Sequence, residues 1–288
     1  MNAPAPSGLP PLAGELPPEA LRVLAAAQAL RTPADGGELV WHAWGEGRPL
    51  VLLHGGSGSW THWLRNVQAL ADAGRRVLVP DLPGFGDSAR LPGVQDADGI
   101  AGPLAQALQQ LVGDTPCDVV GFSFGGLTAG LMAAQAPQRV ARLVLVGAPA
   151  LIQRDARLAL RGWRGLPAQA ATEAHRHNLR VLMLHDPAAA DDLAVALQAA
   201  NTARDRMLRR KLALTDILAR TLPALACPVH GLWGEHDALY VGHLDVVRAT
   251  LQAAPAFGRF EVIEGAGHWV QFEQPQAFNE RLLGLLAL

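Results

Sequence analysis

Short apolar runs alternate with longer helical patterns along most of this chain, and this alternation constrains the fold more than any other feature. The runs are rich in Val and Leu and predict strands at 38–44, 49–55, 76–81, 117–122, 140–148, 227–234 and 258–265. Helical patterns follow at 60–74, 100–112, 125–137, 241–253 and 274–288. Uninterrupted apolar runs are typical of strands buried on both faces, as in parallel sheets. The order therefore predicts an α/β fold with a doubly wound, mostly parallel sheet.

One long segment, residues 149–221, interrupts this alternation before the penultimate strand. It has helical patterns and no convincing strand. We expect it to form a helical lid over the strand ends, where open α/β sheets bind ligands; the alternative is a helical excursion without a role in binding. The sheet and its helices then occupy 32–148 and 222–288. Residues 1–31 are predicted to be a flexible, Pro- and Ala-rich tail with a short helix at 18–31.

Bulk properties limit the remaining classes of protein. The chain has 288 residues, of which 50% are apolar and 17% charged, so it can bury a large core and is not mainly disordered. A net charge of −2 gives no electrostatic basis for binding nucleic acid. The sequence has no signal peptide pattern and no apolar stretch long enough to span a membrane, which favours a cytoplasmic protein. The two cysteines, Cys117 and Cys227, each begin a predicted strand and are expected to be reduced core thiols.

The strongest chemical signal is the segment from Gly121 to Gly125, which has the pattern G-x-S-x-G between a predicted strand and a predicted helix. A sharp strand-to-helix turn at such a motif exposes the serine oxygen above the sheet, and the glycines allow the backbone segments to approach closely. The pattern alone is common, but its position in the middle of the sheet is specific. We therefore predict Ser123 to be a nucleophile.

A serine hydroxyl needs a base, and two later loops supply candidates. His268 lies in a Gly-containing loop after the last predicted strand, and Asp237 follows the strand before it. The order Ser, Asp, His is the order that this kind of sheet uses for a catalytic triad. Asp237 would orient the imidazole ring of His268. Asp81, in the segment DLPGFGDS, is the rival for the acid of this triad.

A glycine-rich turn after the strand at 49–55 would complete the site. Its Gly56 N–H and the Phe124 N–H are predicted to form an oxyanion hole. The turn lacks the spacing of a phosphate-binding loop, and His54 is expected to shape it. Neither a cofactor nor a metal is expected, because the histidines of the predicted lid do not have the spacing of a zinc site.

Together, the segments HGGSGSW, DLPGFGDS, GFSFGG, GEHD and GHWVQFEQPQAFN resemble the α/β-hydrolase superfamily over about residues 38–148 and 222–288. The last segment is most similar to the meta-cleavage-product hydrolases, which cleave carbon–carbon bonds. Two positions differ from that subfamily. Phe122 stands where it usually has Asn, and the region 196–201 lacks the Arg that it presents from the lid. The resemblance with these differences implies a more apolar pocket, suited to an ester.

We therefore expect a cofactor-free hydrolase that cleaves carboxylic esters of small or medium hydrophobic substrates through an acyl-enzyme. Phe122 and Trp269 are predicted to line the substrate pocket. Three alternatives remain: carbon–carbon hydrolysis of a ring-fission dienoate, perhydrolysis as in cofactor-free haloperoxidases, and a non-catalytic ligand receptor on the same fold. The expected partner is a small-molecule substrate, with no nucleic acid and no membrane, and a homodimer is left open.

The predicted lid is also rich in arginine. These side chains usually form a solvated helix face, but one of them is a candidate to point inward toward an anionic substrate group. They are Arg154, Arg157, Arg161, Arg164, Arg204, Arg206, Arg209 and Arg210.

Overall fold

Eight strands build one sheet in the part of the chain that the structure, a computed structural model, describes: residues 15–152, 158–207 and 209–287. The strands are β1 (Gln28–Ala34), β2 (Gly37–Trp44), β3 (Arg48–Leu53), β4 (Arg75–Pro80), β5 (Cys117–Phe122), β6 (Val140–Val146), β7 (Val229–Gly234) and β8 (Phe257–Ile263). Their order across the sheet is β1-β2-β4-β3-β5-β6-β7-β8. β2 pairs antiparallel with both β1 and β4, and the other five pairings are parallel, so the sheet is mostly parallel, as predicted.

Helices connect the strands and cover both faces of the sheet. They are α1 (Pro18–Ala25), α2 (Val67–Asp72), α3 (Ala97–Val112), α4 (Phe124–Gln135), α5 (Ala168–Asn178), α6 (Asp192–Ala203), α7 (Ile217–Thr221), α8 (Leu244–Leu251), α9 (Val270–Glu273) and α10 (Pro275–Leu286). None of them has the length and apolarity that a bilayer crossing requires, within the ranges described.

Alternate residues of the central strands enter two separate hydrophobic cores. In β3, Val51 and Leu53 pack on one face, whereas Leu50 and Leu52 pack on the other. Every residue of β5 is buried. Burial on both faces explains why these strands are continuous apolar runs in the sequence.

The N-terminal part differs from the prediction. The predicted helix at 18–31 ends at Ala25, and Gln28–Ala34 forms the edge strand β1, antiparallel to β2. The Trp41 indole in β2 donates to the Thr32 hydroxyl at 2.9 Å, which fixes the pairing of the two strands. The sheet therefore begins at 28 and not at 32. Residues 1–14 of the predicted tail lie outside the described residues.

The predicted helix at 60–74 is also divided. A 3₁₀ turn occupies Trp60–Trp63, and α2 begins only at Val67. Between them, the side-chain amide of Asn66 donates to the Gln271 carbonyl and to Asn279, which ties this segment to the C-terminal helices. These long-range contacts override the local helical pattern.

The segment between β6 and β7 has helical structure and no strand among its described residues, as predicted. It contains α5, α6 and α7, and we call residues 149–221 the insertion. Residues 153–157, with Arg154 and Arg157, lie outside the described part of the chain.

A buried carboxylate lies at the amino ends of the central strands, opposite the insertion. Asp118 of β5 is fully buried and forms ion pairs with Arg48 of β3, Arg75 of β4 and Arg142 of β6. The adjacent Cys117 and the more distant Cys227 are buried free thiols. Burial, reinforced by the Asp118 charge, raises the pKa of the Cys117 thiol to about 11.

Candidate active site

Ser123 lies on the sharp turn between β5 and α4. Its backbone has φ 50° and ψ −119°, a conformation that non-glycine residues rarely adopt. The two glycines of this motif are sterically required, because a side chain at either position would overlap the backbone. A side chain on Gly121 would overlap the backbone of Gly125, and one on Gly125 would overlap the carbonyls of Leu53 and His54. The backbone therefore raises the Ser123 hydroxyl above the sheet at a strained turn.

The structure brings His268 and Asp237 to this serine. His268 Nε2 lies 2.9 Å from Ser123 Oγ, and His268 Nδ1 lies 2.8 Å from Asp237 Oδ2. A carboxylate can only accept, so Nδ1 carries the proton and Nε2 is left to accept from the serine hydroxyl. Asp237 and His268 are both almost completely buried, at 1% and 2% exposure. This arrangement can transfer the serine proton to the imidazole ring.

The sheet topology explains how residues 145 positions apart meet. Ser123, Asp237 and His268 follow β5, β7 and β8, whose carboxyl ends share one edge of the sheet. Gly147, just after β6, lies between them with φ +53°. A Cβ atom there would lie 3.0 Å from His268 Nδ1 and 3.1 Å from Asp237 Oδ2. The strand predicted at 140–148 includes this glycine, whereas the observed strand ends at Val146, which leaves Gly147 in the loop beside the site.

The turn after β3 lies beside Ser123 because β3 and β5 are neighbours in the sheet. A Cβ atom on Gly56 would lie 3.6 Å from Phe124 Cβ. Phe124 is the first residue of α4, where N–H groups have no acceptor within the helix. Among the described residues, the Gly56 N–H has no hydrogen-bond partner either. Both N–H groups are therefore available to bind an oxyanion.

A cavity of about 580 Å³ opens above the serine, within the range of small-molecule sites. The core contributes Ser123, His268, Phe122, Phe124 and the turn after β3. The opposite wall comes from the insertion, with Leu160, Arg161, Gly162, Trp163, Arg164, His175, Asn178, Leu182, Met183, Gln198, Thr202, Arg210 and Ala213. The insertion thus covers the carboxyl ends of the strands.

Of the two predicted pocket residues, only Phe122 lines the cavity. The prediction for Trp269 is wrong. Its side chain is fully buried, stacks on Phe272 with ring centroids 4.1 Å apart, and donates from Nε1 to the His62 carbonyl at 2.9 Å. Trp269 supports the wall of the cavity from behind and does not face it.

His54 and Asp81 hold loops in place. His54 Nε2 accepts from the Leu82 N–H at 2.9 Å, and its Nδ1 contacts the Gly55 carbonyl. The carboxylate of Asp81 accepts from the Trp60 N–H and the Asp87 N–H, each at 2.8 Å. Both Asp81 oxygens bind backbone groups, and the carboxylate that contacts His268 is that of Asp237.

His62 is a cavity residue that sequence analysis missed. It is fully buried, and its Nδ1 accepts from the Gly55 N–H at 3.1 Å. The proton of the neutral ring is then on Nε2, which has no hydrogen-bond partner in the described part of the chain. Burial holds the pKa of His62 well below its ordinary value, so the ring stays neutral. His62 thus contributes a neutral ring to the lining of the cavity.

Five arginines of the insertion fall into two groups. Arg204 forms an ion pair with Asp87 at 3.1 Å, and Arg206 donates to the Ser88 carbonyl, so these two attach the insertion to the loop after β4. The other group lines the cavity: Arg161, Arg164 and Arg210. The pocket is therefore less apolar than its sequence implied.

We searched residues 15–152, 158–207 and 209–287 for a possible metal site. There, no three His, Cys, Asp or Glu side chains are grouped so that they could hold a metal ion.

Known proteins resemble the chain over nearly its whole length. A family model described as alpha/beta hydrolase fold matches residues 48–275. A 2-hydroxy-6-oxononadienedioate/2-hydroxy-6-oxononatrienedioate hydrolase from Pseudomonas sp is 28% identical, over 83% of this chain and 87% of the relative.

Esterases are similar to a comparable degree. The pimeloyl-[acyl-carrier protein] methyl ester esterase of Vibrio vulnificus is 30% identical over 85% of this chain and 97% of its own. The structure of a thermophilic esterase from Thermogutta terrifontis superposes with a TM-score of 0.69 at 27% identity, covering 91% of this chain and 98% of that one. With a family model that covers most of its length, the chain belongs to the α/β-hydrolase fold family and is a hydrolase.

Proposed function

We propose that this hydrolase cleaves carboxylic esters of small or medium hydrophobic substrates, with Ser123, His268 and Asp237 as its catalytic triad. One observation carries the proposal: the hydrogen-bonded chain from Ser123 through His268 to Asp237 opens into a cavity, beside two N–H groups that have no hydrogen-bond partner among the described residues. A nucleophile, a base and oxyanion donors at one point are the requirements for acyl transfer.

The reaction follows from this arrangement in two steps. Ser123 Oγ attacks the ester carbonyl carbon while its proton moves to His268 Nε2, and the carbonyl electrons move to oxygen. The Gly56 and Phe124 N–H groups donate to that oxyanion. His268 then returns the proton to the leaving alcohol, and the acyl-enzyme is left. A water molecule, deprotonated by His268, releases the acid and restores Ser123.

Aromatic rings line the cavity near the nucleophile and favour a hydrophobic acyl group. Phe122 packs against the rings of His62 and His268, with centroids 5.4 Å and 5.0 Å away. Phe124 covers the other side of the turn. These aromatic surfaces can bury an aliphatic or aromatic acyl chain without hydrogen-bonding it.

The test is turnover of p-nitrophenyl acetate, butyrate, hexanoate and octanoate by wild type and Ser123→Ala. We expect ester turnover whose kcat falls about 10⁴- to 10⁶-fold in the variant, because the members of a triad act as a unit. Covalent labelling of wild type by a fluorophosphonate, located on Ser123 by mass spectrometry, identifies the nucleophile independently of the substrate. Absence of both turnover and labelling would contradict the proposal.

A second candidate is hydrolysis of a carbon–carbon bond in a dienoate by the same triad. Two observations favour it: the similarity to the Pseudomonas nonadienedioate hydrolase, and the arginines at the cavity, which can bind a carboxylate. A ring-fission dienedione in the same assay separates the candidates. If its colour disappears faster than any ester is cleaved, with both cleavage fragments identified, carbon–carbon hydrolysis is the better assignment.

A further inference from the structure

The oxyanion turn contains a second strained serine, next to Gly56. Ser57 has φ 51°, where a residue with a side chain is disfavoured. Its φ angle orients the peptide unit that joins it to Gly56, and in this way influences how Gly56 is placed in the turn. Such a conformation persists only where surrounding contacts hold it.

The contact that holds Ser57 comes from the insertion. Its hydroxyl donates to Asp205 Oδ2 at 2.6 Å, across 148 positions of sequence. Asp205 is itself fixed, since its Oδ1 accepts from the Met207 N–H at 2.9 Å, and the residue is only 9% exposed. The carboxylate is therefore a rigid acceptor aimed at the oxyanion turn.

Arg210 closes this network and reaches the turn itself. Its Nη1 donates to Asp205 Oδ2 at 2.8 Å, and its Nη2 donates to Ser57 Oγ at 3.0 Å. A Cβ atom on Gly56 would lie 3.3 Å from Arg210 Nε, so the guanidinium group covers Gly56. The network thus surrounds the residue whose N–H group we assign to the oxyanion.

A separate set of hydrogen bonds fastens the insertion to the same turn. Asn201, at the end of α6 and 1% exposed, accepts from the Ser59 hydroxyl at 2.7 Å and donates to Thr61 Oγ1 at 2.9 Å. Residues 201–210 are therefore attached to residues 57–61 at two points. The first network is the one that acts on the strained residue.

We propose that Asp205 and Arg210 are positioning residues for the reaction: they hold Ser57 at positive φ and thereby direct the Gly56 N–H toward the oxyanion. This inference rests on the proposed function, because it takes Ser123 as the nucleophile. It extends that function by making the insertion a support for the oxyanion hole as well as a cover.

The decisive comparison is Ser57→Ala against Ser57→Gly. Both remove the hydroxyl, but only glycine adopts positive φ without strain. We expect Ser57→Ala and Asp205→Ala to lower kcat about 10- to 100-fold, as displaced catalytic groups do, with little change in KM. Ser57→Gly should recover a large part of this loss. Arg210→Lys keeps the positive charge but cannot donate to Asp205 and Ser57 from two planar nitrogens, so it should also lower kcat.

The readout is the rate at which a fluorophosphonate labels Ser123, measured with kcat, KM and the melting temperature of each variant. Phosphonylation also develops charge on an oxygen in the oxyanion hole, so its rate should follow kcat. The matched control is Asp87→Ala, which removes the ion pair of the same insertion with Arg204, away from the oxyanion turn. We expect it to label at the wild-type rate.

Each result has one meaning. If wild type neither hydrolyses the esters nor is labelled, the proposed function fails and this inference fails with it. If wild type is labelled and Asp205→Ala or Ser57→Ala is labelled equally fast, the inference alone is wrong. If Ser57→Gly is as slow as Ser57→Ala, the network does not act through the backbone of Ser57, which also overturns the inference. Because the serine variants leave the insertion intact, the comparison holds even where Asp205→Ala does not fold.

Discussion

At the scale of single residues, backbone strain collects around the cavity. Of the non-glycine residues that the structure describes, Ser57, Ser123 and Ala150 have positive φ. Ser57 and Ser123 line the cavity, and Ala150 follows Pro149, which also lines it. Each strained residue costs about 1–3 kcal/mol, so the surrounding contacts must stabilise it. The precision of the site is thus obtained at the expense of local stability.

Asp237 gives the clearest residue-scale prediction. Asp237→Asn keeps the shape but replaces the acceptor of His268 Nδ1 with an amide, which can favour the wrong tautomer of the ring. We expect kcat to fall about 10⁴-fold with little change in KM. Ester hydrolysis by the purified variant checks this, with Asp35→Asn in an exposed turn as the control. A loss below tenfold would remove Asp237 from the triad.

Asp118 has a structural role of its own. Its carboxylate is fully buried among Arg48, Arg75 and Arg142. Asp118→Asn leaves these guanidinium groups without their counter-charge, and removing one partner of a buried ion pair costs about 3–5 kcal/mol. We expect a loss of that size in the free energy of unfolding, measured by urea denaturation.

The control for this variant is Glu38→Gln, which breaks the exposed ion pair with Arg31. Exposed pairs contribute about 0–1 kcal/mol, so its effect should be small. Equal effects of the two substitutions would show that the Asp118 cluster does not stabilise the sheet.

At the scale of elements, the sequence predicts the central strands and the edge strand β8 well but misses the other edge strand, β1. β5 is found at the predicted residues because it is apolar throughout and buried on both faces. β1 reads Gln-Ala-Leu-Arg-Thr-Pro-Ala and is largely exposed, so it has no continuous apolar pattern. Its pairing with β2 is a tertiary contact, which a local reading of the sequence does not detect.

The parts of the site also differ in whether a local sequence pattern or a tertiary contact determines them. The turn at Ser123 and the loops of Asp237 and His268 are predictable because each follows a recognisable strand in a fixed order. The bond from Ser57 to Asp205 spans 148 positions and begins in a segment without regular structure. Trp269 was wrongly predicted to line the substrate pocket. The short helix α9 that follows it places Phe272 against its ring. Short loops and turns leave no periodic trace in the sequence.

The mouth of the cavity supports a prediction about ionic strength. Arg161 and Arg164 are exposed, line the cavity and form no ion pair with any described residue. No acidic side chain is among the described lining residues. A substrate with a distant carboxylate should therefore be attracted to this element, and salt should screen that attraction.

We expect KM for p-nitrophenyl hemisuccinate to rise several-fold between about 20 mM and about 500 mM NaCl, with no comparable change for neutral p-nitrophenyl butyrate. The double variant Arg161→Gln/Arg164→Gln should abolish the difference between the two esters. Arg22→Gln, an exposed arginine of α1, is the matched control. An equal salt response for both esters would assign the two arginines to the solvated surface.

At the scale of the whole molecule, buried histidines predict sensitivity to acid. Burial lowers the pKa of five of them in the folded chain: His42, His54, His62, His175 and His230. In the unfolded chain each titrates near pH 6.5, so the unfolded chain binds more protons below that pH. Stability should therefore fall as the pH drops below about 6.5, by up to about 1.4 kcal/mol per histidine and pH unit.

Urea unfolding at about pH 7.5 and about pH 5.5 measures how the free energy of unfolding depends on pH. Carboxylates remain largely ionised in this pH range, so their titration contributes little. His42 is the best position for a variant, because neither ring nitrogen has a partner among the described residues and Trp44 and Trp60 pack against it. His42→Phe should flatten the slope, whereas His243→Gln at an exposed position should not. A pH-independent midpoint in wild type would contradict the prediction.

The double attachment of residues 201–210 to the turn after β3 also bears on how this enzyme can be engineered. If the insertion only covered the site, it could be replaced by the insertion of a relative to change substrate preference. Here the exchange would also remove the acceptor of Ser57 and the partners of Ser59 and Thr61. The boundary of a chimera should therefore lie before residue 201. Only the part of α6 before this boundary is then exchanged, and the last residues of α6 and the following turn stay with the core.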